Sequence, residues 1–382
     1  MPATDVPEDL LGEAGGFVQA CRPRDLVYFT INVGDGDAAL LLTPARSDGT
    51  RRCLVVDCIQ RDKLFALIES LAALGVLQPT RPLLALVVAT HPHEDHISGM
   101  PDLLERFGDD DVAELWEPGY FHTSGAYHEM MAELEDRPQI AHLQPTAGTV
   151  RFIDRVKLTV LAPGVSLRGR FDSYGVNINN ASIALRIDFP AARVIQRGSD
   201  RTLVRPPTTQ ALILGADAQT LSWSQVLVDF PQLGPASTAT ARALRSAGGT
   251  QPLAAEVFKV PHHGSKHGLS LELVETIRPA VSIVSSGRSG GRYDFPHAVT
   301  QAALREAVNP VSSSPGTDHD EDHRLTVLYT GSYAIDQAGE DVRPLGSIGM
   351  LVGSGGRREI WRFGDDEAAE IDLSAGRPQS VS

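Results

Sequence analysis

Lysine is scarce in this 382-residue chain: of its 34 basic residues only four are lysines, Lys63, Lys157, Lys259 and Lys266. An arginine bias of this kind carries no functional information by itself. Cysteine is scarcer still. Cys21, Cys53 and Cys58 form no CxxC pair, and their odd number excludes a disulfide framework. Cys53 and Cys58 flank a strand-like run, Leu54 to Asp57, where small buried thiols are expected. Long apolar runs are missing too. The longest, Leu83 to Ala89, has seven residues, against the roughly 20 that cross a bilayer. No basic stretch followed by an apolar one opens the sequence, so no secretory signal is expected. A net charge of −14 excludes a broad nucleic-acid-binding surface, although not a local basic patch. These absences together predict a soluble, cytoplasmic protein with no membrane partner.

The composition that remains is that of a globular protein. Hydrophobic residues make up 42% and charged residues 21%, enough to bury a sizeable core. Strand-like runs are expected at Leu26 to Val33, Ala38 to Thr43, Arg52 to Asp57 and Leu83 to Thr90. Leu64, Leu67, Ile68, Leu71 and Leu74 recur at helical spacing, with Asp62 as the expected N-cap. Further strands are expected at Lys157 to Leu161, Ser182 to Phe189, Thr209 to Leu214, Glu256 to Val260, Val281 to Val284 and Leu325 to Tyr329. Helical patterns lie between several of them, and Ser347 to Val352 and Glu359 to Phe363 look like closing strands. Many strands with helices interspersed point to an α/β fold, a four-layer αββα sandwich in one domain over residues 23–364. Residues 1–22 read as a loose leader and 365–382 as a tail.

Two segments look like insertions. Residues 186–205 carry Arg186, Arg193, Arg197, Arg201 and Arg205 against Asp188 and Asp200. They suit either a phosphate-facing hairpin or a solvated β-extension. Residues 311–323 end in Asp318-His319-Asp320-Glu321-Asp322-His323, which is expected to be a solvated acidic loop.

The strongest chemical signal is Thr90-His91-Pro92-His93-Glu94-Asp95-His96, three of the chain's 12 histidines beside an aspartate at the end of a buried strand. Imidazole and carboxylate groups on one turn suit Zn²⁺, or Mn²⁺ where oxygen ligands dominate. Asp217, after the apolar run Ala211 to Leu214, is a carboxylate that would be costly to bury unpaired.

His91-Pro92-His93-Glu94-Asp95-His96 resembles the HxHxDH signature of the metallo-β-lactamase fold superfamily. Asp57, closing Leu54-Val55-Val56-Asp57, resembles the aspartate that supports the metal ligands from behind. Leu214-Gly215-Ala216-Asp217 resembles the strand end whose carboxylate bridges two metals. Val260-Pro261-His262-His263-Gly264-Ser265 resembles the HHGS block of the soluble domain of ComEC-type DNA-internalisation proteins and related phosphodiesterases. Ile31 to Asp37 and Asn180 to Leu185 resemble the same branch, so the likeness spans roughly Leu26 to Phe363.

This resemblance implies two divalent cations, Zn²⁺ or Mn²⁺. His91 and His93 would hold the first, Asp95, His96 and His263 the second, and Asp217 would bridge them around a shared hydroxide. Asp95 would also orient the nucleophile, and His262 or His297 would protonate or hydrogen-bond the departing oxygen. Ser265 and Lys266 would bind an anionic substrate oxygen. One departure stands out: Asn177-Ile178-Asn179-Asn180-Ala181-Ser182 occupies the place where many members carry the histidine that completes the first site. The Asn180 amide oxygen is the expected substitute, toward metal or substrate. His122, His128 and His142 have no motif support and read as ordinary surface or core residues.

The implied reaction is hydrolysis of a phosphodiester, with DNA as one candidate partner. A polynucleotide needs a basic track, which here requires residues 186–205, with Arg168 and Arg170, to lie beside the metals. If they are remote, a small phosphodiester such as a cyclic nucleotide is expected instead. Hydrolysis of lactones, lactams or thioesters and a non-catalytic, metal-stabilised binding role remain as alternatives.

Overall fold

In the computed structural model, residues 15–168, 178–198, 200–229, 253–287, 295–308, 326–331, 346–365 and 368–379 are described. The first sheet has nine strands in the order β18-β17-β16-β1-β2-β3-β4-β5-β6. It is built from β1 (Leu26–Thr30), β2 (Ala39–Leu42), β3 (Cys53–Val56), β4 (Leu84–Val88), β5 (Glu114–Trp116), β6 (Ala141–Leu143), β16 (Ile348–Val352), β17 (Arg358–Arg362) and β18 (Arg377–Gln379). The second sheet runs β15-β14-β13-β12-β9-β8-β7. Its strands are β7 (Val150–Ile153), β8 (Val156–Ala162), β9 (Ala184–Phe189), β12 (Gln210–Leu214), β13 (Val257–Lys259), β14 (Val281–Val284) and β15 (Thr326–Tyr329). Both sheets are mixed. β3 to β6 run parallel in one, and β12 to β15 run parallel in the other.

Strand alternation explains the layers. In β1, Leu26 and Tyr28 face the second sheet and pack with Leu158, Leu185, Leu212 and Val257. Val27 and Phe29 face outward and join Leu64, Leu67, Leu71, Leu103 and Met130 from the helices Arg61–Ala73, Met100–Asp111 and Gly125–Glu135. The second sheet sends Ile213, Phe258 and Val284 outward against Trp223, Val274 and Leu304 from helices Thr220–Asp229, Leu271–Ile277 and Ala298–Val308. Central strands are therefore covered on both faces, which is why β4 reads as an unbroken apolar run. The four-layer αββα sandwich expected from the sequence is present.

The edges of the expected domain need correction. Residues 17–20 form a helical turn, and Phe17 is fully buried with its ring 5.6 Å from both Phe29 and Trp361. The supposed tail supplies β18, whose Arg377 to Gln379 pair with Arg362 to Ile360. The insertion at 186–205 is narrower than expected. Arg186 and Asp188 belong to β9, and the extension is the hairpin of β10 (Arg193–Arg197) and β11 (Asp200–Val204). The acidic run at 311–323, and Asn177 and Arg170 elsewhere, lie outside the described residues. Asp62 sits in the first turn of its helix, while Gln60 holds the N-cap position. Among the described residues, no helix is long and apolar enough to cross a membrane.

Burial of Phe17 against the rings of Phe29, Trp361 and Phe363 predicts that Phe17→Ala costs about 3–5 kcal/mol in denaturant unfolding. A loss below about 1 kcal/mol would show that residues 15–22 are dispensable to the core.

Candidate metal centre

The carboxyl ends of parallel strands from both sheets meet at one rim, the place where open α/β folds bind ligands. β3 delivers Asp57, β4 delivers Thr90 and His91, β12 delivers Asp217, and β13 delivers His262 and His263. The backbone N–H of Ile183 donates to the Thr90 carbonyl across the sheets at 2.9 Å. Fitting so many side chains at one rim requires unusual backbone. Asp57, Ala216, His262 and His263 all have positive φ, between 45° and 59°, a region that non-glycine residues seldom occupy. At Gly215 a Cβ would lie 2.9 Å from the Pro261 Cβ and 3.0 Å from the Lys259 carbonyl, so only glycine lets the two loops touch. At Gly36 a Cβ would stand 2.8 Å from the Asp95 carbonyl, which explains the glycine beside the first histidine loop.

Six of the expected ligands converge. Ligand atoms of His91, His93 and Asp217 lie within 4.8 Å of one another, as do those of Asp95, His96 and His263. Asp217 joins the two sets. Its Oδ2 is 3.7 Å from His91 Nε2, and its Oδ1 is 3.2 Å from His96 Nε2 and 3.6 Å from His263 Nε2. His91 Nε2 and His93 Nδ1 face each other at 3.0 Å. His96, His263, His91 and Asp217 are all but inaccessible to solvent, whereas Asp95 is partly exposed.

Supporting groups aim these atoms. Asp57 accepts from the Thr90 N–H and hydroxyl and from His96 Nδ1, each at 2.8 Å. His263 Nδ1 donates to the Ser285 carbonyl at 3.1 Å. Each imidazole therefore turns its Nε2 toward Asp217. His96 Nε2, His263 Nε2 and Asp217 Oδ1 are buried without a hydrogen-bond partner. These three buried atoms are held together by ion-pair contacts and not by well-formed hydrogen bonds, and their donor chemistry fits a divalent cation.

The charges fit as well. Burial opposes charge on His96, yet the Asp217 and Asp57 carboxylates outweigh it and hold the imidazolium well above the ordinary histidine range. Burial likewise opposes charge on His263, but Asp217 and Asp37 raise it. Burial pushes His91 well below that range, helped by the charge of His96. Asp217 ionises well below the usual carboxylate range because His96 and His263 overcome its burial.

The other expected site residues have contacts of their own. The Asn180 Oδ1 accepts from the Ser222 N–H at 3.2 Å, so its amide oxygen is not turned to the ligand sets. Ser265 is buried, and its hydroxyl accepts from the His267 N–H at 3.3 Å rather than facing the rim. Lys266 is exposed. His297 Nδ1 accepts from the Val299 N–H at 3.2 Å, capping its own helix, while its backbone N–H donates to the Gly264 carbonyl at 2.9 Å. His262 stands beside the ligands with an accessible edge, its Nε2 3.5 Å from Asp217 Oδ2.

Three supporting residues, Asp37, Lys259 and Gln219, escaped the sequence reading. Asp37, from the turn Gly34-Asp35-Gly36-Asp37, is buried with Lys259, with which it forms an ion pair. Asp37 Oδ1 also lies 3.7 Å from His263 Nδ1. The one available signal was Lys259 itself, a rare lysine at the end of an apolar strand. Gln219 donates through Nε2 to His262 Nδ1 at 3.1 Å. His122 is partly buried, its Nδ1 accepts from the Ser124 N–H at 3.2 Å, and its ring centroid lies 5.9 Å from that of His93.

The arginine-rich segment is attached at the opposite end of the second sheet. β9 descends from Ala184 near the rim to Phe189, which pairs with Gln210 at the start of β12. The hairpin is inserted there, about 20 Å from the rim for six residues at ~3.3 Å each. Arg186 is buried in β9, bonded to Asp188 at 2.8 Å and to the Ala254 carbonyl at 2.7 Å.

Protonated His96 and His263 must lose their protons to bind a cation, so binding of Zn²⁺ should release roughly one to two protons at pH 7. Because both pKa values are raised, the charge-pair stability of the metal-free chain is full below the ordinary histidine pKa. It fades as pH rises through the folded values, while cation affinity strengthens over the same interval. Titration calorimetry in buffers of different ionisation enthalpy reads the proton count, and a count of zero would overturn it. Asp57→Asn should weaken cation affinity by about 10–100-fold. A change of less than about twofold in the same titration would remove Asp57 from its orienting role.

No protein-family model matches the sequence, and no curated protein matches it. Among solved structures, the chain is similar to YhfI from Bacillus subtilis, described as a metallo-beta-lactamase fold protein. The identity is 12%, the match covers 80% of this chain and 96% of that one, and the TM-score is 0.38. It is also similar to Igni18, described as a novel metallo hydrolase, from Ignicoccus hospitalis. The identity is 13%, the coverage 80% and 95%, and the TM-score 0.37. A third similar structure is a long form RNase Z from yeast. The identity is 10%, the coverage 81% of this chain and 41% of that one, and the TM-score 0.36.

Proposed function

We propose that this chain is a metal-dependent hydrolase of the metallo-β-lactamase superfamily, in its ComEC-type branch, acting on small phosphodiesters. The observation that carries the reading is the Asp217 carboxylate, with Oδ2 toward His91 and Oδ1 toward His96 and His263. A carboxylate whose two oxygens serve two separate ligand sets is what a pair of cations requires.

His91, His93 and Asp217 would hold one cation, and Asp95, His96, His263 and Asp217 the other. Zn²⁺ or Mn²⁺ in these positions would supply Lewis acidity, which makes water a nucleophile at neutral pH and neutralises phosphoryl oxygens. The protein's own groups do the rest. Asp95, partly exposed and ionised, accepts a hydrogen bond from the attacking water and orients it. Asp57 and the Ser285 carbonyl keep His96 and His263 from rotating. His262, at the accessible edge of the cluster, donates a hydrogen bond to an oxygen of the substrate as negative charge gathers there. Asp37 and Lys259 form a charge-compensated floor behind the second set.

Substrate size follows from charge. The arginine-rich hairpin is rooted at the far end of the sheet, and the chain carries a net charge of −14. A long polyanion gains little here, whereas one or two phosphates directly at the rim suffice for a cyclic or modified nucleotide.

After chelation and reloading with Zn²⁺ or Mn²⁺, the protein should hydrolyse bis-p-nitrophenyl phosphate and cyclic nucleotides in preference to nitrocefin, lactones or linear DNA. Asp95→Ala or EDTA should remove most of this activity, and Asp217→Asn should reduce it to background. Retention of more than half the rate after both EDTA and Asp95→Ala would refute the metal mechanism. Preference for lactones or for DNA would refute the substrate class alone. His262→Gln should lower kcat by about 10²–10³-fold, the worth of one oxyanion donor.

A further inference from the structure

The sequence carries asparagines where a third histidine of the first ligand set is expected, and His262, with its Nε2 3.5 Å from Asp217 Oδ2, is an imidazole placed to replace it. Whether it is a ligand or a donor depends on which ring nitrogen bears the proton, since a neutral imidazole has one donor and one acceptor nitrogen. The surrounding hydrogen bonds decide this one link at a time. The Ser222 backbone N–H can only donate, and it meets Asn180 Oδ1 at 3.2 Å. That fixes the Asn180 amide, which turns its Nδ2 toward Gln219 Oε1 at 3.4 Å. Gln219 is then left with its Nε2 toward His262 Nδ1 at 3.1 Å. A donor at that position needs a lone pair on Nδ1, so the ring proton is on Nε2. On its other side, His262 Nε2 faces the Asp217 Oδ2 at 3.5 Å, which suits an N–H and opposes a second lone pair, while the Asn179 Nδ2, at 3.3 Å from Nε2 and 3.4 Å from Nδ1, is nearly equidistant from the two ring nitrogens and so selects neither.

We propose that Gln219 is a positioning residue that holds His262 in the Nε2–H tautomer, so that His262 is a neutral hydrogen-bond donor to substrate and not a third imidazole of the first cation set. This deepens the hydrolase reading above and rests on it for the identity of the substrate. No proton is transferred: a neutral imidazole keeps its N–H and stabilises charge developing on a phosphoryl or departing oxygen. The first set, with His91, His93 and Asp217, then keeps an open coordination position, as catalytic sites do and closed structural sites do not. Gln219 lies two residues beyond Asp217 and is itself buried, so one loop supplies both the bridging carboxylate and the group that sets the tautomer.

The test reads the tautomer directly, by nitrogen–proton correlation spectra of ¹⁵N-histidine-labelled protein, with His262 assigned by its absence in His262→Gln. In the unaltered chain the proton is expected on Nε2, both metal-free and loaded with Zn²⁺. In Gln219→Glu a carboxylate replaces the donor, and the proton should move to Nδ1. This variant should lose kcat while its KM changes far less. Cation stoichiometry, measured by mass spectrometry of metals, should be the same in His262→Gln as in the unaltered chain. Three results would overturn the proposal: an Nδ1–H tautomer in the unaltered chain, a proton that stays on Nε2 in Gln219→Glu, or the loss of one cation in His262→Gln. The metal-free spectrum needs no variant to fold beyond the one used for assignment. Failure to bind any cation would instead refute the hydrolase reading, and the metal-free spectrum would still decide the role of Gln219.

Discussion

A carboxylate with almost no access to water dominates this rim. Asp217 is 1% exposed, and an isolated ionised carboxylate in such a position would be intolerable. It stays ionised because positive charge, on His96 and His263, is brought to it from two other strand ends. His91 and His96 come from the end of β4, and His263 comes from the end of β13, within 3.2–3.7 Å. Removing the positive charge of His96 and His263 by raising the pH would leave the carboxylate less well compensated, so protons and cations each stabilise the cluster. Protons and metal ions are competing solutions to one electrostatic problem, and the fold is arranged to accept either.

That constraint reaches into the backbone. The side chains must leave adjacent strand ends and turn back toward one point, and regular strand or helix geometry cannot do this. Of the seven non-glycine residues with positive φ among the described residues, four (Asp57, Ala216, His262 and His263) are in the cluster or carry it. Conformations of this kind cost of order 1–3 kcal/mol each, and they persist because the two sheets beneath hold the strand ends rigidly. The doubly covered sheets thus do more than fill a core. They offset the strain of the loops above them. The Asp37–Lys259 ion pair works in the same direction. Two buried charges cancel behind His263, and Asp37 adds attraction for the protonated imidazole without an unpaired charge of its own.

How legible this was in the sequence depended on how local each signal is. Central strands were readable because both faces are buried, as in Leu84–Val88, and the helix Arg61–Ala73 was readable from its apolar spacing. Edge elements were not. β6 is exposed at all three positions and β18 has only three residues, so neither shows an apolar pattern that separates strand from loop. Their existence depends on a neighbouring strand that the local sequence does not contain. Phe17 was misjudged for the same reason, since one aromatic in an acidic, small-residue stretch gives no period. In the site, residues within a contiguous motif (His91, His93, Asp95 and His96) were legible. Asp217 and His263 were legible through strand-end context. Asp37, Lys259 and Gln219 were not, because each acts on a partner more than 40 residues away, and the one local hint was the rarity of lysine at position 259.

The missing histidine shows how one substitution can redistribute work within a site. An asparagine in its place at first reads as a poorer ligand, which would make the first cation set defective. The Asn180 oxygen, however, is occupied by the Ser222 N–H, and the buried Asn180 is bonded through its Nδ2 to Gln219. An amide has both a donor and an acceptor end, whereas a ligating histidine offers its one lone pair to the metal. The amide can therefore pass orientation along a chain from the fixed Ser222 N–H to the ring nitrogen of His262, 40 residues farther on. A histidine at position 180 would break that chain at its second link and remove the bond that orients Gln219 Oε1. His262 would then be free to choose either tautomer. The asparagine and the glutamine therefore make sense together, as parts of a device for aiming an N–H, and each makes little sense as a ligand alone.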